Sequence, residues 1–348
     1  MRNIKKNAFV LLSCTLLLMQ NMKSQTIIDS IDLSTIPSGS IAKYWLKMTE
    51  NGLSQPITVP VLIAKGVEEG PVLGLAAALH GNELNGIPVI QQTFQHLDPT
   101  QLKGAIIAIP GINAISLLGH RRRFVDEEDL NRNFPGKPHG NRSLQYVWQI
   151  NKKFLSKIDY LLDMHTASFG RTNTLYVRAD MNNEVIAGMA RAQDADIILH
   201  NKGIPSVGKA NASSRTMRAE AMLKGKPTIT IEYGNPQVYQ PEMIERGIRG
   251  VNNTLIHLGM LKGQVDVPKT PVSCQKSYWL YVDKGGYLEI PVTLGELVSK
   301  GQTIGILRDP FGDVIKAYKC PEDGIVIGKS SNPVNMSGGR ILHLGIME

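Results

Sequence analysis

Three scarcities bound what this chain can be. The first is cysteine, with three in 348 residues. Cys14 falls in an N-terminal segment expected to be removed, and Cys274 and Cys320 lack the spacing of a cysteine zinc site. In an oxidising compartment these two could pair. Two separate buried thiols are an equal reading, and the sequence leaves both open. The second scarcity is aromatic residues, which make up 6% of the chain. They do not interleave with a basic stripe, so nucleic acid is not an expected partner. The third is long apolar runs. Beyond the N-terminus none is long enough to span a bilayer. Repeats and low-complexity tracts are also absent.

The N-terminus itself is biased. Arg2, Lys5 and Lys6 precede an apolar run, Ala8–Met19, and a polar exit, Gln20–Gln25. Basic start, short apolar middle and polar exit describe a secretory signal peptide, assigned to residues 1–24 with cleavage near Ser24. The product is expected in the periplasm or outside the cell. Leu11-Leu12-Ser13-Cys14 faintly resembles a lipoprotein signal. That cut would halve the apolar run, so anchoring through Cys14 is the lesser alternative. The formal net charge is +8. Loss of Arg2, Lys5, Lys6 and Lys23 halves it, which leaves an ordinary balance. The one tight basic run, Arg121–Arg123, adjoins Asp126, Glu127, Glu128 and Asp129. This suits small acidic substrates.

The remaining chain is longer than one core usually serves. Residues 25–262 read as an α/β domain with a mostly parallel or mixed sheet flanked by helices. Residues 263–348 read as a small all-β module, because Gly-containing turns alternate with short strands and helical periodicity vanishes. In the first part, strands are expected at 57–64, 72–79, 105–109, 158–163, 174–178, 195–199 and 227–231. Pro60 suggests an edge position for the first of these. Helices are expected at 84–97, 143–158, 183–191, 215–223 and 241–261. Residues 110–140 have little periodicity, and a loop of that length in a compact domain is usually functional.

Chemistry gathers where apolar strands end. Val72–Leu79 runs into His80-Gly81-Asn82-Glu83. Ile158–Asp163 runs into Met164-His165, and Pro227–Ile231 into Glu232. Open α/β sheets bind ligands beyond the carboxyl ends of their strands. His80, Glu83 and His165 make a three-ligand set with an open position, the form a catalytic zinc needs. Gly81 is expected to let the chain turn so that His80 and Glu83 face one ion. Asp163 can orient an imidazole from behind. Glu232 is then free to act as base on a bound water, since a carboxylate at a buried strand end is costly unless something pairs with it. In the long loop, Asn131 and Arg132 can grip a carboxylate. Arg123 can reach the same cleft and polarise a carbonyl, although Arg121 and Arg122 compete for that place. Arg218 can meet a second acidic group.

Together, His80-Gly81-Asn82-Glu83, Asp129-Leu130-Asn131-Arg132, Asp163-Met164-His165 and Glu232-Tyr233-Gly234 resemble the succinylglutamate desuccinylase/aspartoacylase family, a branch of the zinc-carboxypeptidase-like hydrolases. The resemblance implies that fold, one Zn²⁺ per chain on His80, Glu83 and His165, and Glu232 as general base. It implies Asn131 and Arg132 as the substrate-carboxylate grip, Arg123 as the carbonyl-polarising arginine and Arg218 as a further substrate contact. The family's tyrosine has no assignable position here. Leu294–Gly305 and Pro321–Val326 are similar to lipoyl/biotinyl-type barrel-sandwich modules. The corresponding turn, Glu322-Asp323-Gly324, has no lysine, so the module is expected to be structural.

The expected function is zinc-dependent hydrolysis of an amide bond in an N-acyl amino acid or related small carboxylate-bearing molecule. A carboxypeptidase-like enzyme on cell-wall or dietary peptides is the alternative enzyme. An envelope binding or adaptor protein is the non-enzymatic one, and it would keep its function without zinc.

Overall fold

The computed structural model describes residues 26–203 and 215–347. The expected signal peptide, residues 1–24, lies outside the described residues. In chain order the first part comprises β1 (Ile27–Ile28), β2 (Ser40–Glu50), β3 (Pro56–Lys65), β4 (Glu68–Ala77), α1 (Gly86–His96), β5 (Lys103–Ile109), α2 (Ala114–Leu118), α3 (Arg142–Lys153) and β6 (Tyr160–His165). It continues through β7 (Arg171–Asn173), β8 (Leu175–Ala179), α4 (Glu184–Arg191), β9 (Ile197–His200), α5 (Met217–Leu223), β10 (Thr228–Tyr233) and α6 (Pro241–His257). The rest is all strand: β11 (Val272–Tyr281), β12 (Gly286–Glu289), β13 (Leu297–Val298), β14 (Thr303–Arg308), β15 (Val314–Lys319), β16 (Gly324–Ser330), β17 (Val334–Asn335) and β18 (Arg340–Met347). Among the described residues, no helix is long and apolar enough to cross a membrane.

One large mixed sheet carries the fold, in the order β1-β2-β3-β5-β4-β6-β10-β8-β9-β11-β18-β16-β13, with β7 on β16. Its middle strands show why the sequence reads as unbroken apolar runs. Along β5, Ile106 and Ala108 belong to one core and Ile107 and Ile109 to another. A strand covered on both faces buries both halves of its alternation. Helices α1 and α6 cover the first face. Ile87, Val89, Ile90 and Phe94 of α1 pack there with Ile244, Val251 and Leu255 of α6. Pro241 stands at the first position of α6, where its missing N–H costs nothing. Helix α3 covers the second face with Tyr146, Val147 and Ile150.

The structure departs from the sequence reading in the first hairpin. Strand β3 is not an edge: it pairs with β2 along its length and with β5 through Leu62–Lys65. Pro60 is tolerated because it pairs opposite Trp45, whose own N–H points away to Thr26 O at 3.0 Å. The facing pair therefore exchanges no hydrogen bond, and no ladder bond is lost. Strands β1 and β2 lack a clear apolar period, since only Leu46 and Met48 of β2 are buried. Periodicity alone does not announce them.

The C-terminal module is all β and continues the large sheet. β11 runs parallel to β9, with Val272 opposite Ile197, and antiparallel to β18. A second sheet, β15-β14-β12-β17, closes over a separate core of Leu288, Ile304, Leu307, Ile341 and Leu342. Tyr176, Ile197, Leu199, Cys274, Ile325 and Ile327 join the two parts in one small cluster. Cys274 and Cys320 are both free and buried, which settles the pairing left open by the sequence. Burial pushes the Cys274 thiol up to about 11, so it is inert at neutral pH.

His343 on β18 is a buried member of this junction. It stacks on Trp279, with ring centroids 5.1 Å apart and planes 9° off parallel, and its Nε2 lies 2.7 Å from Ser277 Oγ. Burial, aided by Arg178 and Arg171, pushes its pKa from 6.5 down to about 3. The folded protein therefore holds His343 neutral, while the unfolded chain takes up a proton below about pH 6.5. Stability from this group is complete above that pH. It falls by about 1.4 kcal/mol per pH unit on acidification towards the folded value. Urea midpoints measured from pH 7 to pH 4 should fall less steeply in His343→Gln than in the parent. Equal slopes would show that His343 is not the group responsible.

Candidate active site

Strands β4, β6 and β10 are neighbours and parallel. Their carboxyl ends lie side by side, and the chemistry sits there. β4 ends at Ala77. Ala78 takes a left-handed φ of 57°, and His80 and Glu83 follow in the turn before α1. Gly81 is needed for space and not for its turn. A Cβ there would stand 2.0 Å from Ser116 C and O, so only glycine lets α2 approach the ligand turn. His165 is the last residue of β6, and Glu232 pairs directly opposite it on β10.

The donor atoms of His80, Glu83 and His165 all lie within 4.8 Å of one another, and the three side chains are buried. Glu83 sits between the imidazoles. Its Oε1 is 2.9 Å from His80 Nδ1, and its Oε2 is 2.7 Å from His165 Nδ1. Each ring is braced from behind through its other nitrogen. His80 Nε2 is 3.1 Å from Asp129 Oδ1, and His165 Nε2 is 3.0 Å from Asp163 Oδ1. Two Nδ1 atoms and a carboxylate converge, with an outer carboxylate on each imidazole. This is the donor chemistry that suits a divalent cation such as zinc. Burial favours the neutral acid at Glu83, but the two histidines outweigh it and hold the carboxyl well below its ordinary range. At His165 burial opposes protonation, yet the Asp163 carboxylate dominates and draws the pKa up. Three carboxylates around two imidazoles make a site that attracts positive charge.

A cavity of about 230 Å³ opens over this set. It is lined by Arg122, Asn131, Arg132 and Arg218, and by Arg171, Asn173, Arg178, Glu232 and Trp279. Arg123 is not among its residues. Its Nη1 donates to Glu127 O at 2.7 Å on the exposed side of the loop. Arg122 occupies the place expected for it, with Nη1 3.0 Å from Glu83 Oε1 and Nη2 2.9 Å from Asp129 Oδ2. The chain bends at Arg122 and Arg123, and this sets the three arginines apart. Phe124 is buried against Tyr146; Arg122 is half-buried against Glu83 and Asp129, while Arg121 and Arg123 are exposed.

Asn131 and Arg132 lie in a short 3-10 turn capped by Asp129, whose Oδ1 accepts from Asn131 N at 2.9 Å. Asn131 Oδ1 accepts from Met217 N at 2.7 Å, which leaves its amide nitrogen towards the cavity. Arg218, on α5, is buried and bonds to Asn201. Burial, with the neighbouring Arg178 charge, lowers its pKa to about 10. Among the described residues, Arg218 and Arg178 each keep a buried Nε–H without a partner.

Glu232 is partly open to the cavity. Removal from bulk water pushes its carboxyl up, helped by Glu83, although Arg178, His165 and Arg171 pull the other way. A raised carboxyl in a cleft beside a cation-attracting set is a candidate for proton transfer. Asp129, Arg171, Asn173, Arg178 and Trp279 had no assigned role in the sequence reading. Only Asp129 had a local signal, through its place in Asp129-Leu130-Asn131-Arg132. The others are carried into the cavity by β7, β8 and β11.

The α/β sheet thus bears, at adjacent strand ends, a His-Glu-His set that could hold a metal ion and a separate carboxylate. Residues 69–258, more than half of the chain, match the succinylglutamate desuccinylase/aspartoacylase catalytic domain family. The chain belongs to that family. A relative from Halomonas elongata, N-alpha-acetyl-L-2,4-diaminobutyric acid deacetylase, is 27% identical over 287 residues, covering 78% of this chain and 81% of the relative. The product-bound ectoine utilization protein EutE (DoeB) from Ruegeria pomeroyi superposes with a TM-score of 0.79 at 20% identity, over 90% of this chain and 98% of that one. A succinylglutamate desuccinylase/aspartoacylase from Rhodobacter sphaeroides gives 0.79 at 20% identity, over 91% and 98%. At that identity the two structures speak for the fold.

Proposed function

We propose that this protein is a zinc-dependent hydrolase of N-acyl amino acids. Family membership and the deacetylase relative support an enzyme acting on amide bonds. The observation that carries the finer reading is Glu232 standing opposite His165 at the next strand end. A binding protein would have no use for a proton-accepting carboxylate there.

His80, Glu83 and His165 would hold the zinc. Bound there, zinc supplies Lewis acidity to a water and to the scissile carbonyl. Glu232 takes the proton of the attacking water and later delivers it to the leaving amine. Arg122 donates to the developing oxyanion. Asn131 and Arg132 grip the substrate α-carboxylate, Arg132 as a planar fork and Asn131 through its amide nitrogen. Asp129 and Asp163 fix both imidazoles through Nε2.

The inner wall narrows the substrate further. Arg218 and Arg178 bring two positive charges with unspent donors and form no ion pair among the described residues. A substrate with a second acidic group satisfies them. Export of the protein, inferred from its first 24 residues, places such substrates in the periplasm or outside the cell. Amino-terminal sequencing of the mature chain tests this.

The direct test is a panel of N-acyl amino acids combined with metal analysis. About one zinc per chain and hydrolysis abolished by chelation are expected. A metal-free protein with full turnover would overturn the assignment.

A further inference from the structure

The C-terminal module reaches the proposed base through a three-residue strand. β7 leaves the loop after His165, and its strand partner is β16 of the module, with Asn173 opposite Gly328. The next residue continues this anchorage. Thr174 N and Oγ1 both donate to Ile327 O, at 3.0 and 3.1 Å. Asn173 is buried, and its Nδ2 donates to Glu232 Oε2 at 3.3 Å. Among the described residues, no other side chain hydrogen-bonds that carboxylate. The other half of the amide is held by shape. A Cβ on Gly328 would stand 2.4 Å from Asn173 Oδ1 and 2.9 Å from Thr172 O. Only glycine at 328 lets β16 close on this amide.

We propose that Asn173 is a positioning residue for the general base, seated by Gly328, so that the C-terminal module is part of the catalytic apparatus. The physical reason is geometric. A carboxylate that must accept a proton from one direction and return it in another works best in one rotamer. The groups around it, Arg178, Arg171, His165 and Glu83, supply charge but fix no orientation. The single donor does. It also favours the ionised form of Glu232, the form that accepts the proton. The module therefore has a role that a structural cap or an adaptor surface would not require. This inference rests on Glu232 being the base.

Asn173→Ala, Asn173→Asp and Gly328→Val test it against Glu232→Gln, all as full-length zinc-loaded protein. Asn173→Asp keeps the shape of the amide and removes its donor. Loss of one donor to a charged group corresponds to about a 10- to 100-fold fall in kcat. KM should stay within about twofold, since Asn131, Arg132 and Arg218, the proposed substrate grips, are untouched. The acid limb of the kcat profile should move to higher pH in Asn173→Ala. Zinc content should match the parent, and Gly328→Val should reproduce the kcat loss from the module side. Parental kcat and an unmoved acid limb in both Asn173 variants would overturn the proposal, as would a kcat loss that tracks loss of zinc. If Glu232→Gln is inactive while Asn173→Ala and Asn173→Asp are not, only the positioning role falls. If Glu232→Gln itself turns over normally, the base assignment falls.

Discussion

Replacing Glu232 with Gln should lower kcat by about 10²- to 10⁴-fold, the usual contribution of a positioned general base, while zinc content stays that of the parent. The two halves of this expectation come from different parts of the structure. Metal retention follows from the donor set, because Glu232 lies outside the group of converging ligand atoms formed by His80, Glu83 and His165. Loss of rate follows from chemistry. Glutamine fills the same space and keeps an acceptor oxygen, but it cannot take a proton from water at neutral pH. Burial and Glu83 raise the Glu232 carboxyl despite the opposing Arg178, His165 and Arg171 charges. That brings it towards the range in which it can both accept and release a proton during turnover. Steady-state kinetics with metal analysis on the same samples decides the matter. Parental turnover in Glu232→Gln would show that water is activated by another group. Inactivity accompanied by loss of zinc would show that Glu232 belongs to the metal site.

The second large effect concerns substrate charge. Substrates of the N-acyl aspartate or glutamate type should exceed N-α-acetyl-2,4-diaminobutyrate in kcat/KM by about 10²-fold or more, because burying like charges against each other costs several kcal/mol. The relative from Halomonas elongata is named for the diaminobutyrate compound, whose side chain carries an ammonium at neutral pH. Here that group would approach Arg178 and Arg218. Both line the cavity, both have a buried Nε–H without a partner among the described residues, and their mutual repulsion already contributes to lowering Arg218 to about 10. A carboxylate relieves this repulsion and an ammonium adds to it. Arg218→Met should narrow the preference by weakening the acidic substrate more than the basic one. Competition assays with both substrates provide the measurement. Equal kcat/KM for the two in the parent protein would remove Arg178 and Arg218 from any role in charge selection and point to an orientation that keeps the side chain away from them.

The candidate metal set and the proposed base stand out in the sequence for a simple reason. Each stands just beyond an apolar run, and apolar runs of that length flanked by helical spacing are strands of a covered sheet. His80, His165 and Glu232 therefore declare themselves as strand-end residues before any coordinates exist. Local order also singles out the Asn131-Arg132 pair, while the structure adds Asp129 as the cap of its turn. Choosing among Arg121, Arg122 and Arg123 is another matter. Which one faces inward shows only in the contact of Arg122 with Glu83, 39 positions away in the chain, a separation no local pattern encodes. Gly81 is similar. It looks like a turn residue, but it is glycine because the Ser116 backbone lies against it. Pro60 looks like an edge marker, yet it sits in a strand with partners on both sides.

The sequence by itself thus determined the sheet class and singled out the candidate ligand set and the candidate base. These depend on periodicity along one segment and on the chemistry of single side chains. Tertiary structure alone decided which arginine reaches the candidate metal donors and which charges line the inner wall. It also decided that β7 takes its partner from the C-terminal module and so brings Asn173 to Glu232. Those outcomes depend on contacts between residues far apart in the chain, and they form only once the sheet and the module have packed together.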